Sequence, residues 1–197
     1  ILEAVDAGGV ETTFFDEEAG MWEETAQRLA AKDVVGCYQG RMEWGPRALG
    51  NRSILADPRD EDMQDVVNRK IKFREGFRPF APSVLADHAA EYFETPRESP
   101  YMLFVFDVKP EKREAIPAVT HVDGTARIQT VAETANQSYY DCIDAFRAET
   151  GTPVVLNTSL NMRGQPIVNT PSQAVEVFQQ TDMDAMVCPD AACLIYG

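Results

Sequence analysis

The sequence predicts a mixed α/β domain whose sheet combines parallel and antiparallel pairing. Three observations carry that reading. Segments with helical spacing of apolar residues alternate with short β-branched runs, some of the runs are joined by turn signals such as Asp123-Gly124, and no repeat, low-complexity tract or linker divides the 197 residues. One domain over residues 1–197 is expected, with 1–20, acidic and Gly-containing, as a linker or tail. The chain begins at Ile1 rather than Met, so a piece of a longer protein is expected.

The elements follow in order. Met21 to Lys32 places Trp22, Ala26, Leu29 and Ala30 on one side of a helix, and Val34 to Tyr38 follows as a buried strand. Arg41 to Gly50 carries Gly45, Pro46 and Gly50 around Trp44 and Arg47, a composition that breaks regular structure and presents side chains from a loop. Ser53 to Ala56 resumes a strand. Asp60 opens a helix through Met63, Val66, Val67 and Ile71 that stops before Gly76, with Lys72 in its last turn. Phe80 to Leu85, Tyr101 to Val108 and Thr125 to Val131 read as strands, with a short helix around His88 to Phe93. Ser138 to Glu149 is a helix, and Val154 to Leu156 a strand that delivers Asn157, Ser159 and Asn161 just past its end, where open α/β sheets bind ligands. Thr170-Pro171-Ser172-Gln173 is a capping box starting a helix through Gln180, and Val187 and Cys193 to Tyr196 close the sheet.

Composition narrows the function. At 44% hydrophobic and 25% charged residues the chain is neither disordered nor collagenous. No run approaches the ~20 apolar residues of a spanning helix, and residues 1–10 do not read as a signal peptide, so a soluble, cytoplasmic protein without membrane partners is expected. Cys37, Cys142, Cys188 and Cys193 are widely spaced without a CxxC pair, which fits buried free thiols better than zinc ligation. The net charge of −14 argues against nucleic acid as a partner. The positive charge is nonetheless uneven: nine of the 18 basic residues lie between Arg41 and Arg78. Such a concentration can build an anion site, since Arg offers planar paired donors to phosphate or carboxylate. Arg59, Arg69, Lys70 and Arg74 could equally form ion pairs on a helical face; Arg47, Lys72 and Arg78 are read as site residues.

There is no GxxxxGK[ST], no GxGxxG after a strand, no GxSxG elbow, no HExxH and no EF-hand loop. Nucleotide phosphates would have to be held by side chains, and a metal would be Mg²⁺ bridging phosphates. Only His88 and His121 are present, and both are read as structural, while Trp44 and Phe80 are read as core or wall. Asn157 and Ser159 could instead cap the strand end, and Arg127 could sit in a cross-strand ion pair.

Four dense polar segments remain: Glu43-Trp44-Gly45-Pro46-Arg47-Ala48-Leu49-Gly50, Lys72 to Pro82, His121-Val122-Asp123-Gly124-Thr125-Ala126-Arg127, and Leu156-Asn157-Thr158-Ser159-Leu160-Asn161. In this order they resemble the C-terminal domain of the O-carbamoyltransferases, the group that includes the nodulation-factor, cephalosporin and tobramycin enzymes. The resemblance runs from about Gly36 to Cys188 and departs from the family pattern at Asn51, often His, and Leu160, often Phe.

The resemblance implies a YrdC-like fold, a twisted open mixed sheet with flanking helices and a basic concave face. It implies formation of carbamoyl adenylate from carbamoyl phosphate and ATP, with Mg²⁺, and transfer of the carbamoyl group to an acceptor hydroxyl by an N-terminal sugar-kinase-like domain of the same polypeptide. Iron or another metal would belong to that domain, so no metal ligand is expected in this chain. Carried over by position, Arg47, Lys72, Arg78 and Arg127 would contact phosphates or the carbamoyl group. Asn157 and Ser159 would hydrogen-bond the adenylate phosphate or the carbamoyl, with Arg52 and Ser83 as further ligands. Two rival readings differ in class: a scaffold without catalysis, which predicts no nucleotide binding, and an RNA-binding YrdC-like module, which predicts steeply salt-dependent binding.

Overall fold

The computed structural model describes residues 1–72, 79–95 and 97–197. In chain order the helices are α1 (Leu2–Gly8), α2 (Glu18–Ala30), α3 (Met63–Val67), α4 (Ala89–Tyr92), α5 (Gln137–Thr150) and α6 (Pro171–Gln179). The strands are β1 (Glu11–Phe14), β2 (Val35–Tyr38), β3 (Arg52–Ala56), β4 (Ala81–Leu85), β5 (Val105–Asp107), β6 (Thr125–Arg127), β7 (Gln129–Val131), β8 (Val154–Ser159), β9 (Ala185–Cys188) and β10 (Cys193–Tyr196). Eight of them form one sheet in the order β1-β10-β9-β2-β3-β8-β4-β7, and β5 and β6 form a separate ribbon. The pairs β2/β9 and β4/β7 are parallel and the remaining pairs antiparallel, the mixture the sequence predicts.

The central strands read as unbroken apolar runs because both faces of the sheet are covered. On one face α2 and α5 lay Met21, Trp22, Leu29, Tyr139 and Phe146 over Val35, Leu55 and Val155. On the other, Val5, Met63, Val67, Val175 and Phe178 from α1, α3 and α6 cover Ile54, Leu156 and Met186. Successive residues of a strand face opposite ways, so Leu55 and Ile54 go to different cores.

Helix ends are set by local chemistry. Thr170 and Gln173 close the predicted capping box in both directions. Asn136 caps α5 by accepting the Tyr139 N–H, and Gly151, at φ +77°, ends it in the left-handed conformation that glycine adopts without a Cβ clash.

Four expectations change. Residues 1–20 are not a tail: α1 packs on α6, with Gln179 Nε2 donating to the Gly8 carbonyl at 2.7 Å, and β1 is an edge strand paired with β10. The helix from Asp60 breaks into α3 and a π-helical turn, Asn68–Lys72. That turn keeps Val67 and Ile71 both buried while Lys70 reaches Asp184. The strand expected over Tyr101 to Val108 is confined to β5. Thr125 to Val131 is two strands, not one, because the chain leaves the ribbon at Arg127 and enters the main sheet at Gln129. Ser99 secures that crossing: its Oγ donates to the Ile128 carbonyl, and its N–H donates to Thr130 Oγ1.

Candidate active site

The loop between β2 and β3 is organised by one carboxylate. Glu43 Oε1 accepts the N–H groups of Leu49 at 2.7 Å, Asn51 at 2.8 Å and Arg52 at 3.2 Å. The carbonyls of the returning leg are held from the sheet. Asn157 Nδ2 donates to Ala48, Gln129 Nε2 to Leu49, and Gln39 Nε2 to Gly50. Gly50 is required here: its φ is +113°, and a Cβ would lie 2.3 Å from the Tyr139 ring. With the leg pinned from both sides, Arg47 is presented immediately before it, exposed to solvent. Trp44, expected as core or wall, is fully exposed at the loop tip, whereas Phe80 is buried.

Arg47 opens onto a cavity of 110 Å³ where the ends of β4, β6 and β8 meet, lined also by Phe80, Arg127, Asn157, Thr158 and Ser159. That volume holds roughly four waters, enough for a phosphate-sized group. Arg127 enters from the last position of β6, half-buried, with its Nε enclosed and without a hydrogen-bond partner among the described residues. Burial, and after it the charge of Arg47, loosens the hold of the Arg127 guanidinium on its proton. Neither arginine is in an ion pair among the described residues. Two like charges facing one small cavity without a counter-ion repel in this conformation and attract an anion.

Beneath the cavity lies a buried polar network. Ser83 Oγ donates to Gln129 Oε1 at 2.7 Å, and Asn157 Nδ2 donates to Ser83 Oγ at 3.0 Å and Gln129 Oε1 at 3.1 Å. Asn157 is buried, yet its Oδ1 has no partner among the described residues, an arrangement that ordinarily costs about 1–3 kcal/mol. Asn157 and Ser159 do not follow the strand, as expected, but belong to it: β8 runs to Ser159, with Asn157 opposite Leu55 on one side and Ala81 on the other.

The arrangement brings together Arg47, Arg127, Asn157 and Ser159 on the cavity, with Ser83 one hydrogen bond below. Arg52 is not with them. It is buried in β3, the terminal nitrogens of its guanidinium donating to the carbonyls of Gln39, Asn51 and Gly40 while the group stacks 3.8 Å over the Tyr38 ring, so those nitrogens are spent on backbone. Lys72 closes the π-helical turn, and its side chain, like the whole of Arg78, lies outside the described residues. Other cations of the basic stretch are paired locally, Arg59 with Asp57 and Lys70 with Asp184. The sequence reading missed Glu43 as loop organiser and Gln129 as the link between network and loop. Only the presence of Glu43 in a dense polar segment pointed to it.

His121 packs close enough to Arg127 to feel its charge. Burial foremost lowers its pKa; Asp123 opposes this, and Arg127 adds the smallest effect, a further lowering. Its Nδ1 lies 3.0 Å from Thr125 Oγ1, whose hydroxyl donates to Asp123. The Thr125 oxygen therefore accepts, and His121 carries its proton on Nδ1. Among the described residues no group of three or more His, Cys, Asp or Glu could hold a metal ion, and no helix is long and apolar enough to cross a membrane.

Comparison with known proteins gives this site a family. The model described as "Carbamoyltransferase C-terminus" matches residues 26–194. The chain belongs to that family. Nodulation protein NolNO of Sinorhizobium fredii (strain NBRC 101917 / NGR234) is 53% identical over 165 residues, 82% of this chain and 24% of the relative. The 3'-hydroxymethylcephem-O-carbamoyltransferase of Amycolatopsis lactamdurans is 40% identical over 168 residues, 85% of this chain and 32% of the relative. The chain thus spans about a quarter to a third of the length of these relatives. Among solved structures, full-length HypF in its phosphate- and nucleotide-bound form matches with a TM-score of 0.57 at 17% identity, covering 91% of this chain and 24% of that one. Sua5 of P. abyssi, complexed with L-threonine, matches with a TM-score of 0.63 at 16% identity, covering 87% and 47%. At such identities these neighbours establish the fold alone, which is YrdC-like. Asn51 bridges the Arg41 carbonyl and Asn136, and Leu160 is fully buried in the core.

Proposed function

We propose that this carbamoyltransferase domain makes carbamoyl adenylate from carbamoyl phosphate and ATP, for transfer to an acceptor hydroxyl by an N-terminal sugar-kinase-like domain of the same polypeptide. The observation that carries the reading is the convergence of Arg47 and Arg127, with no counter-ion among the described residues, on a cavity of phosphate size. Carbamoyl phosphate loses its phosphate to water, giving carbamate. A carbamate oxygen then attacks the α-phosphorus of ATP; the new O–P bond forms as the bond to pyrophosphate breaks. No enzyme nucleophile is needed, and the protein's work is to hold anions in line and to stabilise the charge that develops. Arg47, Arg127, Lys72 and Arg78 supply the cations in this scheme, and Asn157 and Ser159 the neutral contacts. Mg²⁺ would arrive on the ATP phosphates, since no carboxylate is among the described residues that line the cavity. The reaction is expected in the cytoplasm, where both substrates are made.

The test is pyrophosphate release with ATP and Mg²⁺, with and without carbamoyl phosphate, followed by detection of carbamoyl adenylate. Release that depends on carbamoyl phosphate supports the reading. ATP that binds without release moves the chemistry to a site completed by further chain, and absence of binding leaves a scaffold.

A further inference from the structure

Where β9 turns back into β10, Cys188 and Cys193 stand directly opposite each other in the ladder. The Gly197 N–H donates to the Asp184 carbonyl, and hydrogen-bonded pairs alternate along an antiparallel ladder, so Cys193 with Cys188 is a hydrogen-bonded pair. In such a pair the Cα atoms lie about 5.5 Å apart, within the span a disulfide bridges. Both side chains enter the same core. The other two thiols are placed differently: Cys37 has Ser53 and Val187 opposite it in the sheet, and Cys142 lies on α5.

A thiol set against a thiol divides the two in character. Cys188, acting as donor, holds Cys193 below the ordinary thiol range, while the same contact, and after it burial, pushes Cys188 up. Cys193 is the sulfur that ionises first. Both are buried, but the turn over them is strained, since Ala192 sits at φ +46° in the left-handed region that a Cβ disfavours. Opening the turn recovers that strain and admits a small oxidant.

We infer that Cys188 and Cys193 form a reversible thiol–disulfide site, oxidised by hydrogen peroxide, whose closure is felt at the root of the Arg47 loop. The Cys193 thiolate attacks one peroxide oxygen; the O–O bond breaks, hydroxide leaves and takes up the proton the thiol lost, and a sulfenic acid remains. The Cys188 sulfur then attacks the Cys193 sulfur: the S–S bond forms, the S–O bond breaks, and the oxygen departs as water with the Cys188 proton. Two thiols lose two electrons and one peroxide becomes two waters. Facing Cβ atoms sit about 4.5–5.5 Å apart, against about 3.8 Å in a disulfide, so closure draws the strands together and shifts the turn it encloses. Asp190 belongs to that turn, and its Oδ2 accepts the Gly40 N–H at 2.8 Å where the loop leaves β2. This site lies outside the anion cavity and needs no substrate, so it stands apart from the carbamoyl reading.

The test treats the native chain with hydrogen peroxide, alkylates the remaining thiols in denaturant, and cuts the chain before Asp190. That cut separates the two cysteines unless a disulfide joins them. Joined fragments are expected, with Cys37 and Cys142 alkylated, and dithiothreitol should return both thiols. The Gly40 amide resonance is expected to move on oxidation and to return on reduction. Recovery of Cys188 and Cys193 in alkylated form, or joined to Cys37 or Cys142, would overturn the site. A disulfide that leaves the Gly40 resonance in place would overturn its coupling to the loop. Cys193→Ser should leave Cys188 a thiol under the same peroxide; should that variant fail to fold, the wild-type mapping still decides.

Discussion

Arg47, from the loop after β2, and Arg127, from the last position of β6, face the same cavity and repel each other across it. The fold supports this because neither residue makes the loop stand: Glu43 and the sheet side chains do.

Arg47→Ala is accordingly expected to leave stability within about 0.5 kcal/mol of wild type and to reduce carbamoyl-phosphate-dependent pyrophosphate release by ~10²-fold or more. Denaturant melts and the release assay on one preparation measure both. A variant that retains full turnover would remove Arg47 from the site.

Gly50→Ala asks for a Cβ 2.3 Å from the Tyr139 ring and for a positive φ at a residue that disfavours it. Overpacking of this kind costs about 1–3 kcal/mol, and the midpoint of urea unfolding should fall accordingly. An unchanged midpoint would mean that Tyr139 and the loop can part without cost.

His121 makes stability depend on pH. Its folded pKa is lowered by burial first and by Arg127 also, so the unfolded chain binds its proton more readily. The contribution is present above the unfolded value of about 6.5 and is lost as pH falls below it. Wild type should therefore lose melting temperature on going from pH 7 to 5.5, and His121→Gln should lose less. Identical slopes would assign the titration to another group.

The thiols of Cys37 and Cys142 should be inert in the folded chain. Burial pushes Cys142 up to about 12 and raises Cys37 well above its ordinary value, and the thiolate is the reactive form. Alkylation at pH 8 is expected to label these two residues only after denaturant is added, as peptide mapping would record. Labelling of Cys142 in native protein would show that α5 opens from the sheet.

Much of the fold was readable along the chain. The Thr170–Gln173 capping box, Gly151 after α5 and the apolar runs of β2, β3 and β4 follow from local chemistry, and each forms as expected. The division of Thr125 to Val131 was not readable, because both halves have strand composition and only their partners, β5 and β4, separate them. Residues 1–20 carry no strong helical or strand signal, and what orders them is α6 and β10 at the other end of the sequence.

The sequence by itself determined the family, the mixed α/β class and the residue types needed for an anion site, because motif order and periodicity are properties of the chain alone. It could not separate Arg47 from Arg52, which are near neighbours of one chemical type. Tertiary structure decided that by giving Arg52 to the carbonyls of the loop after β2 and leaving Arg47 to the cavity. It also turned Asn157, by way of Gln129 and Ser83, so that its NH₂ end faces three acceptors. Hydrogen-bond partners drawn from distant strands exist only once the sheet is assembled, and they fix which donor is spent on the fold and which remains for chemistry.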